Sequence, residues 1–158
     1  MSNQFWTWLV VATAILVAAF LRPHGTRIFL GLFFIAMGLG VNLVLLVANP
    51  GSFVALGSHS FVPFYRWVFE NPITRYPALM IGPVIVFEVA VGLLILSRGV
   101  AVRVGLIAAI AFLLAITPLN AECLPNPILA LAAARLWRIR WDRSLLDALR
   151  DLWKRQND

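Results

Sequence analysis

Long apolar runs separated by short polar turns organise this chain. Residues 5–21, 28–48, 78–96 and 100–116 are almost wholly apolar. Each is long enough for a membrane-crossing helix. The breaks between them carry turn chemistry: Arg22-Pro23-His24-Gly25, Asn49-Pro50-Gly51, Ser97-Arg98-Gly99 and Thr117-Pro118. Trp6 and Trp8 open the first run, where interfacial anchors belong. A shorter apolar stretch, 128–137, follows the Pro-broken segment LNAECLPNP. Ten helical residues cover only about 15 Å, half of a bilayer core of about 30 Å. A fifth span over 126–139 therefore requires LNAECLPNP to dip into the protein interior.

Between the second and third runs, residues 49–77 hold Phe53, Phe61, Phe64, Tyr65, Trp67, Phe69 and Tyr76. This stretch is too aromatic for a solvated linker and too interrupted for a span. It reads as an interfacial cap with a short helix over 63–70 started by Pro63, an unstructured loop being the alternative. Beyond the last run, residues 140–158 pattern as a cytoplasmic amphipathic helix. Trp141, Leu145, Leu146, Leu149, Leu152 and Trp153 form its apolar face, and Arg143, Arg150, Lys154 and Arg155 lie on or beside the other. Such a helix could lie on an anionic leaflet or pack on the protein's own inner loops.

Composition agrees with a membrane solvent. Of the 158 residues 61% are hydrophobic and 13% charged, against about a quarter charged in soluble domains; the mean hydropathy is +0.89. The expectation is one all-α integral membrane domain. The opening MSNQFWTW has no basic stretch before its apolar run, so the first run is expected to be retained as a span. The single cysteine, Cys123, forms no intramolecular disulfide and no CxxC metal site. The net charge of +6 is assigned to membrane orientation, not to nucleic acid. With five spans and the N-terminus outside, Arg22, Arg27, Arg98, Arg103, Arg135, Arg138, Arg140, Arg143, Arg150, Lys154 and Arg155 fall on the cytoplasmic side. Only Arg66 and Arg75 fall outside. Four spans divide the bases less sharply, so five spans, N-out and C-in at the plasma membrane, are expected.

A few polar residues stand out against this background. Glu88 is the eleventh residue of its run, about 15 Å along a helix and near the bilayer midplane. Intramembrane acids face the bundle interior or a polar cavity, so Glu88 is expected to point inward, protonated or hydrogen-bonded. Gly92, four residues on, shares its face and admits a close helix. Asn42 is the expected partner, because Gly31, Ile35, Gly38 and Asn42 form a stripe at helical spacing. The pair reads either as a proton-handling or headgroup-binding site or as an interhelix clasp. Asn120 and Glu122 line a cavity or sit in an outer turn. Arg66, Glu70 and Arg75, with His59, either grip an anionic headgroup or quinone oxygen or anchor the cap. Cys123 is expected to be structural. His24 and His59 fall on opposite sides and cannot ligate one haem together. No metal site and no nucleotide-binding or metalloprotease motif is evident.

Three stretches, RIFLGLFFIAMGLG at 27–40, FEVAVGLLILSRGVAVRVGL at 87–106 and RSLLDAL at 143–149, together resemble the DoxX-like family of small multi-pass membrane proteins. The resemblance covers roughly residues 27–150. It implies a four-helix bundle, here preceded by one extra transmembrane helix. Family members often carry a lysine soon after the glycines of the first core helix; here Val41-Asn42-Leu43 follow Gly40, so no role for that lysine carries over. The family includes proteins linked to sulfur-compound oxidation with a quinone acceptor and partners of membrane redox-defence complexes. Small size and the lack of a soluble domain or cofactor motif point to a binding or accessory subunit of a membrane redox or respiratory complex. Its contacts would be lipid, a quinone, other membrane subunits or a second copy, with Glu88, Asn42, Arg66, Arg75, Asn120 and Glu122 as candidate ligand-binding residues. The alternative is an enzyme using Glu88 as acid or base on a quinone or lipid-like substrate. A transporter is a weaker reading, since no inverted repeat is evident.

Overall fold

The structure, a computed structural model, describes residues 2–145 and 147. The described residues are mostly helical, without strands. Helix α1 is Asn3–Leu21. Helices α2, Pro23–Ile35, and α3, Leu43–Ala48, are joined by a π-helical segment, Ala36–Asn42. Two short helices follow, α4, Gly51–Ser58, and α5, Pro63–Val68, the latter running into a second π segment, Phe69–Ile73. Then come α6, Pro77–Leu96, α7, Val100–Ile116, two 3₁₀ turns, and α8, Asn126–Trp137.

Among the described residues four helices are long and apolar enough to cross a membrane: Asn3–Leu21, Pro23–Ala48, Pro77–Leu96 and Val100–Leu119. The first three start earlier than the apolar runs predict, and the fourth starts at Val100 as expected. Proline is the reason at Pro23 and Pro77: it stands in the first turn, where its fixed φ suits a helix and its missing N–H costs nothing. The α6–α7 turn closes on Gly99, whose φ of 65° lies in the left-handed region that glycine enters without strain.

Helix α1 packs on α2 and α8, α8 on α7, α7 on α6, and α6 on α2. The five helices thus close a ring. Leu30 and Phe34 of α2, Ile95 of α6, Leu106 of α7, and Leu129 and Leu136 of α8 fill its interior. Helix α8 has only 12 residues, about 18 Å, and falls short of a bilayer core. Its path is longer than its helix. Glu122 accepts a hydrogen bond from Ser2 Oγ at 3.2 Å, at the start of α1. At the opposite end the Gly99 N–H donates to Trp141 O at 2.7 Å. Residues 122–141 therefore run the whole height of the ring, with the 3₁₀ turn Ala121–Cys123 descending from the α1 terminus toward Asn126.

This arrangement collects charge at one end. Arg27 donates through its two Nη atoms to Ser97 O at 2.9 Å and to Arg143 O at 3.0 Å, so the α1–α2, α6–α7 and post-α8 segments meet there. Those segments carry Arg22, Arg27, Arg98, Arg103, Arg138, Arg140 and Arg143.

The opposite end carries the aromatic cap. A second apolar cluster of Phe53, Phe69, Ile73, Ile81, Ile85 and Leu119 seats it on α6 and the end of α7. Its helix starts at Pro63 as expected, but helical backbone continues past residue 70 to Arg75. The π segment, with its wider hydrogen-bond spacing, accommodates Pro72, which has no N–H to give.

The expected tail helix from residue 140 starts later. Residues 140–144 are not helical. Ser144 and Asp147 exchange hydrogen bonds, Asp147 N to Ser144 Oγ at 3.2 Å and Ser144 N to Asp147 Oδ2 at 2.9 Å, a capping box that opens a helix at Leu145. Trp141 is consequently no member of an apolar helix face; it is 2% exposed and packed inward. The remainder of the tail expectation, residues 146 and 148–158, lies outside the described residues.

Candidate functional site

Glycine lets α2 and α6 approach closely along one seam. A Cβ on Gly92 would stand 2.6 Å from Gly31 O, and one on Gly31 would stand 3.1 Å from Gly92 O. The two backbones touch directly, as small residues permit in membrane bundles. One helical step further, Gly38 faces the backbone of Ile85 and the Cβ of Glu88.

Asn42 closes the seam. It ends the π segment, in which the Leu43 N–H reaches back five residues to Gly38 O. That wider turn keeps Asn42 on the face of Gly31 and Gly38, toward α6. Asn42 Nδ2 donates to Glu88 Oε2 at 2.6 Å, a short distance appropriate to a strong bond. Glu88 is 3% exposed, with Ile81 and Ile85 of the cap-side cluster on one side of it along α6 and Val91 and Ile95 of the ring core on the other. Asn42 itself is half-buried. The inward orientation and the Asn42 partnership expected for Glu88 are both present.

The other expected site residues lie elsewhere. Glu122 ties down the N-terminus, taking the Ser2 hydroxyl and, with the Gln4 amide turned nitrogen-first, a hydrogen bond at 2.6 Å. Asn120 is buried, and its Oδ1 accepts the Cys123 N–H at 3.0 Å, capping the 3₁₀ turn. Cys123 is half-buried beside it. Burial pushes its thiol up to about 11; a contact with the Asn120 backbone works against this and the Glu122 charge adds to it. Arg66, Glu70 and Arg75 are exposed on the cap. His59 meets Ser58 and Ala55 O on the cap, and His24 lies against Trp141 at the basic end. No three His, Cys, Asp or Glu side chains gather among the described residues.

Several working side chains were not foreseen. Trp8, read as an interfacial anchor, turns inward: its indole N–H donates to buried Asn126 at 3.0 Å and its ring stacks on Phe33. Trp6 stays 55% exposed. Tyr65 OH donates to Ala115 O at 2.7 Å and Ser60 Oγ to Pro118 O at 2.9 Å, so the cap satisfies carbonyls left open at the end of α7. At the basic end the Arg27 guanidinium lies 4.7 Å from the Trp141 ring centre. Arg27 is 3% exposed, and its Nε is buried without a partner. Compared with protein-family models, with curated proteins and with solved structures, the chain has no match.

Proposed function

We propose that this chain is a plasma-membrane protein of five crossings, N-terminus outside and basic end cytoplasmic, with a DoxX-like bundle preceded by α1. In this reading it is a binding or accessory subunit of a membrane redox or respiratory complex, and its ligand is a quinone or a lipid. One observation carries the accessory reading over a catalytic one. Glu88, the acid placed at depth in the long helices, is closed on Asn42 inside a seam whose backbones already touch. Its Oε2 serves helix packing through the Asn42 amide, as a buried polar group in lipid requires.

Extraction into polymer-bounded native membrane discs, followed by mass spectrometry of proteins and lipophiles, tests this reading. A stoichiometric redox subunit or bound quinone is expected. A solitary chain with neither overturns it.

The half-buried state of Asn42 favours a second reading. The pair has an edge toward the outer surface of α2 and α6, where a quinone or lipid-like substrate could meet Glu88 as acid or base. Turnover of decylubiquinone that is lost in Glu88→Gln while the fold persists would favour that reading. Turnover unchanged by Glu88→Gln would eliminate it.

A further inference from the structure

Helices α1 and α8 run side by side and parallel: Trp8 meets Asn126 at their cap-side ends. On their outer side lies a groove of about 430 Å³ lined by Leu16, Phe20, Leu131, Ala134, Arg135 and Arg138. Its lining is ordered along the bundle axis. Leu16 and Leu131 lie toward the middle of the ring, and Arg135 and Arg138 lie toward the basic end, about 6 Å and about 10 Å beyond Leu131. Phe20 and Leu131 are 59% and 60% exposed. The Arg135 guanidinium is already placed, 5.2 Å over the Phe20 ring.

We propose that this groove binds an anionic phospholipid of the cytoplasmic leaflet, one acyl chain between α1 and α8 and the phosphate on Arg135 and Arg138. The axial order matches such a lipid: hydrocarbon toward the midplane, forked cationic donors at the headgroup level. Among the described residues no carboxylate lines the groove. A second copy of the chain is a poorer occupant, because the long apolar helices offer one acid, Glu88, and it is buried. The inference rests on the membrane reading with this end cytoplasmic. It is independent of any quinone or partner subunit.

Native mass spectrometry of the full chain from vesicles of equal phosphatidylglycerol and phosphatidylcholine tests it, with alkaline extraction confirming insertion. Wild type retains phosphatidylglycerol selectively. Arg135→Gln/Arg138→Gln lowers that selectivity on the order of tenfold or more. Ala134→Phe, which keeps both charges but fills the groove, lowers lipid retention as well. Arg103→Gln, an exposed base on α7 outside the groove, changes neither. Retained selectivity in the double arginine variant, undiminished retention in Ala134→Phe, or a groove crosslinked to a second copy in place of lipid overturns the site. A chain that alkaline treatment releases from the vesicles overturns the membrane reading with it.

Discussion

Removing the Asn42 amide should destabilise the bundle through what it leaves behind. In Asn42→Ala the Asn42–Glu88 bond at 2.6 Å is lost, and the Glu88 carboxyl, 3% exposed, stays in a seam that water enters poorly. The bond itself is worth little: interhelix hydrogen bonds in membrane bundles average about 0.6 kcal/mol and reach about 1.7. An orphaned buried polar group costs about 1–3 kcal/mol, so orphaning dominates. About 1–2 kcal/mol is expected for Asn42→Ala. Glu88→Gln keeps an acceptor oxygen for Asn42 and should cost less than about 1 kcal/mol. Asn42→Leu/Glu88→Leu removes both polar partners and should fall within about 0.5 kcal/mol of wild type, far from the sum of its singles. Reversible unfolding in mixed detergent micelles, followed by far-UV circular dichroism, reads all of these. Leu93→Ala, at a site 58% exposed, is the reference and should cost less than about 0.5 kcal/mol. Asn42→Ala no worse than Leu93→Ala, or a double variant equal to the sum of its singles, would rule out orphaning of Glu88 as the cause.

Gly92→Ala places a methyl 2.6 Å from Gly31 O; backbone must move, so thermal unfolding should fall by the equivalent of about 1–3 kcal/mol, whereas Gly82→Ala, with open space around it, should be neutral or better. Arg27→Ala frees Ser97 O, Arg143 O and the Trp141 ring together; trypsin should then cut at Arg138 and Arg140 at least several-fold faster, and an unchanged rate would deny Arg27 its role as the clasp of the basic end. Cys123, with its thiol raised to about 11, stays protonated below that pH, so only about 10⁻³ is thiolate at pH 8. Iodoacetamide labelling of the folded chain should therefore be slow at pH 8 and rise toward pH 11, while the unfolded chain labels readily at pH 8.

Much of the frame was legible in the pattern of apolar runs, because in lipid every backbone group must be satisfied within its own helix. The Asn42–Glu88 pair was legible for a related reason: few polar groups sit at depth, and both stand on stripes that end in glycine. What escaped was non-local. Trp8 looks like an interfacial anchor until Asn126, 118 positions away, supplies an acceptor. Arg27 counts simply as one more cytoplasmic base until Ser97 O and Arg143 O arrive beside it. The two π segments leave no periodic mark in the sequence, since one extra residue in a turn is invisible where every neighbour is apolar. The start of the tail helix was misjudged because Trp141 fits an amphipathic period by chance; the Ser144 and Asp147 spacing was the better signal.

Cysteine-accessibility mapping in intact cells tests the central claim, a five-crossing bundle with its basic end inside, most directly. In a Cys123→Ser background, single cysteines are placed at Ser2 and Ser58, and at Arg98 and Arg140. Ser2→Cys and Ser58→Cys should be labelled by a membrane-impermeant maleimide from outside, and Arg98→Cys and Arg140→Cys only after permeabilisation. Labelling of Ser2→Cys and Arg140→Cys from the same side would mean that α8 does not cross, and would contradict the claim.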